Sequence, residues 1–152
     1  MTSDDRLLFI ENLARIREVS LKDQHLAVDD TVNWFELERF ARGLELFKQE
    51  RLLLDYTDML TDFLRDGVAP SLDAMFVDEA QDLSPLQWSV VRKLCENAAR
   101  IYLAGDDDQA IYRWAGADVD YLIRNSKDAM ILKRSYRVPQ SIHRIAHRCI
   151  SQ

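Results

Sequence analysis

The side chains in this 152-residue chain that can do chemistry fall in three short polar runs, each following an apolar one. Asp78 and Glu79 follow Met75-Phe76-Val77. Asp106, Asp107, Asp108 and Gln109 follow Ile101–Ala104 and Gly105, and Arg134 and Arg137 follow Ala129–Leu132. Acids facing an arginine, with a glutamine between, meet the needs of metal-assisted phosphoryl chemistry. One carboxylate holds Mg²⁺ through water, another orients or deprotonates the attacking water, and a cation offsets charge on the transferred group. Taken singly these signals are weak. An Asp-Glu pair after an apolar strand is ordinarily a solvated strand end, and a lone Arg137 is ordinarily a surface charge. The Asp106–Asp108 run is no calcium loop, because Ala110 stands at the third ligand position and no Gly or terminal Glu follows at the required offsets. Trp114 is more unusual, because an indole in a polar, Gly-flanked loop calls for a stacking partner.

The elements that must position these runs are legible from Ala74 onward. Apolar stretches at Ala74–Val77, Ile101–Ala104 and Ala129–Leu132 alternate with helical patterns, which predicts an α/β fold with a parallel sheet. The strands' C-terminal ends then share one edge, where ligands bind in open α/β sheets. Between the first two strands, Ser84-Pro85-Leu86-Gln87 places Ser at the N-cap, Pro at N1 and Gln at N3. The helix so opened shows Leu86, Val90, Val91 and Leu94 on one face. A short helix is expected after Asp118, and Pro139 opens a last one carrying Ile142, Ile145, Ala146 and Cys149.

The first seventy residues read as helical. Phe9, Leu13 and Ile16 recur at helical spacing after Asp4 and Asp5, and a less regular stretch is expected around Lys22–Asp29. A longer helix is expected from Asp30, with Leu37, Phe40, Ala41, Leu44 and Phe47 on one face. Another starts near Asp55, turns Met59, Leu60, Phe63 and Leu64 inward, and stops at Gly67. His25 stands alone, and Trp34, Phe35, Phe40 and Phe47 read as packing residues rather than a binding box.

Composition bounds the function from outside. With 47% hydrophobic and 30% charged residues the chain is of ordinary globular type. Its net charge of −6 argues against broad nucleic-acid binding, although the last twenty residues hold Lys133, Arg134, Arg137, Arg144 and Arg148 and no acid. The start is acidic, unlike a signal peptide, and no apolar run has membrane-spanning length. Cys95 and Cys149 lie in helical patterns and are expected as buried free thiols of a cytoplasmic protein, with no membrane partner.

In combination the three runs are specific. Val77-Asp78-Glu79-Ala80-Gln81-Asp82 resembles motif II, the Walker B segment, of the UvrD/Rep/PcrA family of superfamily-one DNA helicases. Leu103 to Asp118, including Gln109, Tyr112 and Trp114, resembles that family's motif III nearly position for position. Leu132-Lys133-Arg134-Ser135-Tyr136-Arg137 is similar to motif IV, and Leu54–Leu60 resembles the segment returning from a helical insertion to the first RecA-like domain. The resemblance runs from about Asp55 to Ile145. It implies ATP and Mg²⁺ as cofactors and single-stranded DNA as partner. On that reading Asp78 helps coordinate Mg²⁺, Glu79 is the general base, Gln109 contacts the γ-phosphate, Arg137 senses phosphate and Tyr136 stacks on adenine. Tyr112 and Trp114 would face the DNA. Gln81 and Asp82 would organise their loop. Ala115 departs from the arginine that better-known members carry there.

The phosphate-cradling motif G-x-x-x-x-G-K-[ST] is missing, since no pair among Gly43, Gly67, Gly105 and Gly116 has its spacing. Motifs V and VI are missing too. The expected organisation is a helical segment over residues 1–66, the C-terminal half of a first RecA-like domain over 67–137, and the start of a second over 138–152. The fold would be a P-loop NTPase fold without its P-loop half. Two functions remain open: a fragment of an ATP-dependent DNA helicase (three-prime to five-prime by family) that needs the remainder of its chain, or a non-enzymatic helicase relic or binding module. The chain alone is expected to lack DNA-stimulated ATPase activity. An unpaired sheet edge would invite self-association.

Overall fold

The computed structural model describes residues 3–28, 32–132, 134 and 136–150. Four helices come first: α1 (Ser3–Ile16), α2 (Leu21–Ala27), α3 (Trp34–Arg51) and α4 (Tyr56–Asp66). Strand β1 (Met75–Val77), helix α5 (Pro85–Cys95), strand β2 (Ile101–Leu103) and helix α6 (Val119–Asn125) form the α/β part, and α7 (Gln140–Ile150) closes the order.

Local chemistry sets most of these boundaries. At α5 the Ser84 side chain accepts from the Gln87 backbone, and Gln87 accepts from the Ser84 N–H at 2.8 Å, a complete capping box with Pro85 behind it. Asp55 and Asp58 build the same reciprocal cap on α4. Two expectations change in the helical half. The stretch expected to be irregular around Lys22 forms α2, because Ser20 caps it through the Asp23 N–H. Met59 is exposed, and Thr57 takes the buried place, its hydroxyl donating to Asn12 Oδ1 at 2.8 Å. The expected start of the third helix, Asp30, lies outside the described residues, and α3 is capped by Asn33. His25, placed by α2, makes a 2.8 Å hydrogen bond between Nε2 and the Val32 carbonyl and meets Trp34 edge-on.

The two described strands pair in parallel, Met75 with Ile101, Phe76 with Tyr102 and Val77 with Leu103. The third expected strand does not form. Residues 129–132 run as irregular chain with Met130, Ile131 and Leu132 exposed. A strand needs a neighbouring ladder for its backbone groups, and among the described residues none lies beside this segment. Arg134 and Arg137 are therefore not delivered by a strand, and Lys133 and Ser135 lie outside the described residues.

Two apolar clusters hold the fold. Leu7, Ile10 and Leu37 lock α1 against α3. Val77, Ala80, Trp88 and Leu122 pack α5 and α6 beneath β1, with the Trp88 and Tyr121 ring centroids 4.4 Å apart. Trp88 is 1% exposed, so it anchors α5 more deeply than the Val90, Val91 and Leu94 face expected from periodicity. Burying such a side chain contributes roughly 1.5–3 kcal/mol. Cys95 is half-buried and Cys149 exposed, both free thiols. Cys149 departs from expectation because helical periodicity fixes a face but not whether anything covers it. No helix among the described residues is long and apolar enough to cross a membrane.

Candidate active site at the strand ends

Past Val77 the chain leaves the ladder but keeps its register with the second strand. The Ala104 N–H donates to the Val77 carbonyl at 2.8 Å, and the Ala80 N–H donates to the Ala104 carbonyl at 2.9 Å. This brings Asp78, Glu79 and Asp106 to one edge, as the parallel arrangement requires. Asp78 and Glu79 are both exposed, and Asp78 Oδ1 accepts the Glu79 backbone N–H at 2.9 Å. Glu79 itself is wound left-handed, with φ 50° and ψ 40°, and a turn of 3-10 helix over Ala80–Asp82 follows it.

Gln81 ties this corner together. It is 1% exposed, and its two amide ends serve the two strands. Nε2 donates to Glu79 Oε2 at 2.7 Å, while Oε1 accepts the Asp106 backbone N–H at 3.0 Å. Asp106 in turn accepts from Gln109 Nε2 and from the Asp108 N–H, fixing the 3-10 turn Asp107–Gln109. A continuous path thus runs Glu79–Gln81–Asp106–Gln109. Gly105 makes the approach possible, because a Cβ there would sit 2.8 Å from Gln81 Oε1 and 2.8 Å from Leu122 Cδ2. The loop-organising role expected of Gln81 acquires a definite form. The sequence signal for the close approach was the lone Gly105 at a strand end.

Motif III continues as a loop that doubles back on the helical half. A second 3-10 turn, Arg113–Ala115, ends at Gly116 with φ 102°. The Asp118 N–H donates to the Leu83 carbonyl at 2.8 Å, fastening the loop's far end beside α5. Tyr112 and Trp114 are exposed, Trp114 at 66%, yet the Trp114 ring also lies against Phe9 of α1, with centroids 6.2 Å apart and planes 25° apart. From the sequence Phe9 is marked only by its helical spacing with Leu13 and Ile16.

The arginine side of the expected site stands apart. Tyr136 is 86% exposed, with the Arg134 guanidinium 4.7 Å from its ring centroid. Among the described residues no hydrogen bond or ion pair joins Arg137 to Asp78, Glu79 or Gln109. No group of three His, Cys, Asp or Glu side chains that could hold a metal by itself occurs among the described residues. Two adjacent exposed carboxylates nevertheless suit Mg²⁺, which keeps several waters and takes further oxygens from a phosphate.

Known proteins resemble this chain over most of its length. Residues 7–130 match the family described as the UvrD/REP helicase N-terminal domain. The ATP-dependent DNA helicase PcrA of Bacillus subtilis is 33% identical over 118 residues, 70% of this chain and 16% of that protein. DNA helicase II of Salmonella typhimurium is 35% identical over 111 residues, 69% of this chain and 14% of the relative. The RecBCD enzyme subunit RecB of Mycolicibacterium smegmatis is 34% identical over 105 residues, covering 60% of this chain and 10% of that subunit. The chain therefore spans less than a fifth of each of these relatives. With the family match covering both the helical half and the strand ends, the chain belongs to the UvrD/REP helicase family, in the part described as its N-terminal domain.

Proposed function

We propose that the chain supplies the acidic half of an ATP site and part of the single-stranded DNA track of a three-prime to five-prime DNA helicase. The observation that carries this reading is the path Glu79–Gln81–Asp106–Gln109, which links a carboxylate at the end of β1 to a glutamine beyond β2. On this reading the substrate is ATP as its Mg²⁺ complex; Asp78 would hold the ion, which would supply charge neutralisation on the phosphates. Glu79 orients and deprotonates the attacking water, and Gln109 reaches the γ-phosphate. Tyr136 stacks on adenine and Arg137 senses the phosphates. Tyr112 and Trp114 stack on bases, a contact that tolerates any sequence.

The chain holds no G-x-x-x-x-G-K-[ST] segment, whose lysine and backbone N–H groups would cradle the triphosphate. The 152 residues alone are therefore expected to show no DNA-stimulated ATPase activity. When this segment is joined to a family P-loop half, hydrolysis is expected, and Glu79→Gln lowers kcat by about 10²–10⁴ with nucleotide binding retained. Hydrolysis that survives Glu79→Gln in the joined protein would remove Glu79 from the role of base. Steady hydrolysis by the short chain, abolished by the same substitution, would show that it needs no partner segment. A joined protein that binds neither ATP nor DNA would favour a non-enzymatic binding module.

A further inference from the structure

One face of α1 grips the loop that carries Tyr112 and Trp114. Phe9, Leu13, Ile16 and Arg17 recur at helical spacing, and each meets that loop or its immediate flank. Phe9 stacks on Trp114, with centroids 6.2 Å apart. Gly116 lies so close that a Cβ would stand 2.9 Å from Ile16 Cδ1 and 3.2 Å from Leu13 Cδ1. Arg17 Nη2 donates to the Arg113 carbonyl at 3.3 Å while its Nη1 donates to Gln24 Oε1 at 3.2 Å. α1 is itself fixed from behind by Leu7 and Ile10 packed with Leu37. The aromatic loop is thus seated on a helix that is braced by another helix.

We propose that Phe9 is a positioning residue for nucleic-acid binding: it holds the Trp114 indole by one face so that the other stays open to a base of single-stranded DNA. This inference rests on the reading of Trp114 as a DNA-stacking residue and adds the helical half to the DNA site. An exposed indole on a short loop explores several rotamers, and stacking on a base must restrict them. A ring fixed beforehand by an aromatic neighbour loses less freedom when the base arrives. Phe9 reaches Trp114 from its own position on the braced helix, over a hundred residues earlier in the chain.

The test is the affinity of the 152-residue chain for a fluorescently labelled oligothymidylate of about twelve nucleotides, a length within single-strand site sizes. Anisotropy at low salt is the readout, and far-UV circular dichroism checks each variant's fold. Trp114→Ala is expected to weaken binding by about 5- to 100-fold, the range of one base–aromatic stack. Phe9→Leu, which keeps apolar packing and loses the ring, is expected to weaken it by about three- to tenfold, and Phe9→Trp to restore it. On a Trp114→Ala background Phe9→Leu is expected to change nothing, because Phe9 acts only through the indole. Phe9→Leu binding as tightly as the parent, or weakening both backgrounds equally, overturns the positioning role while leaving Trp114 in place. Undiminished binding by Trp114→Ala overturns the stacking reading itself, and the role of Phe9 with it.

Discussion

Two polar networks in this molecule use the same residue types to opposite ends. In the helical half, Arg15 and Lys48 converge on Asp55 and Asp58, joining α1, α3 and the start of α4. Lys48 Nζ lies 2.9 Å from Asp55 and 2.7 Å from Asp58, and Arg15 Nη1 lies 2.8 Å from Asp55. Asp55 and Asp58 also serve as each other's helix cap, and Glu11 lies 3.7 Å from Arg15 at the edge of the network. At the strand ends, Glu79 and Asp106 are joined through the neutral amide of Gln81. Among the described residues none of Asp78, Glu79, Asp106, Asp107 and Asp108 has a salt-bridge partner. The first network is closed by the protein's own atoms. The second leaves its carboxylates facing solvent.

Removing a carboxylate from each network is the direct way to break this contrast. Asp58→Ala loses contacts to Arg15 and Lys48 together with half of the capping box. It is expected to destabilise the chain by about 2–4 kcal/mol in urea denaturation. A cost near zero would mean that the helical network is ornamental and that packing alone holds α1 on α4.

Acid should expose the same contrast less abruptly. Burial pulls Asp55 upward, but hydrogen bonds from Arg15 and Lys48 override it and hold the group well below its ordinary value of 3.8. A depressed carboxylate contributes stability that is complete above pH 3.8 and lost as pH falls through the folded-state value. Glu11 carries the opposite sign. Burial raises it above 4.5 despite nearby Arg15 and Lys48, so its contribution is complete below pH 4.5 and lost as pH rises. Thermal melts from neutrality downward should therefore show a slight gain as Glu11 protonates, then a fall below pH 3.8. Asp55→Asn is expected to flatten that fall; parallel acid limbs for the two proteins would remove Asp55 from the account.

Glu79→Gln should give the smallest effect. It removes a like charge beside Asp78 and keeps an oxygen for Gln81 Nε2, so stability is expected within about 0.5 kcal/mol of the parent, on the stabilised side. A loss comparable to Asp58→Ala would mean that the strand-end acids are balanced internally after all.

The sequence disclosed these regions unevenly, for physical reasons. The helix starts at Asp55 and Ser84 were legible because a cap is local chemistry, settled within four residues. Motifs II and III were legible because each puts its polar residues directly after a strand. The short helix α2 was overlooked although Ser20 and Asp23 stand at N-cap and N3, since seven residues give little periodicity. The segment 129–132 has the composition of a strand, but composition cannot supply a neighbour to pair with. The Phe9–Trp114 contact joins residues far apart in the chain, and nothing in either one's surroundings announces the other. The ion network of the helical half was invisible for the same reason: each of its members reads locally as a solvated charge or a cap.

Left-handed backbone at a side chain other than glycine costs on the order of 1–2 kcal/mol, and the chain accepts that cost at Glu79. Glycine would relax the turn, but Glu79→Gly would also leave the buried Gln81 Nε2 without its acceptor, a loss of about 1–3 kcal/mol that offsets the relief. The strain is therefore held in place by the same hydrogen bond that orients the carboxylate. Selection for heat resistance alone gains nothing by discarding Glu79, so a screen of this fold for melting temperature should leave the end of the first strand intact.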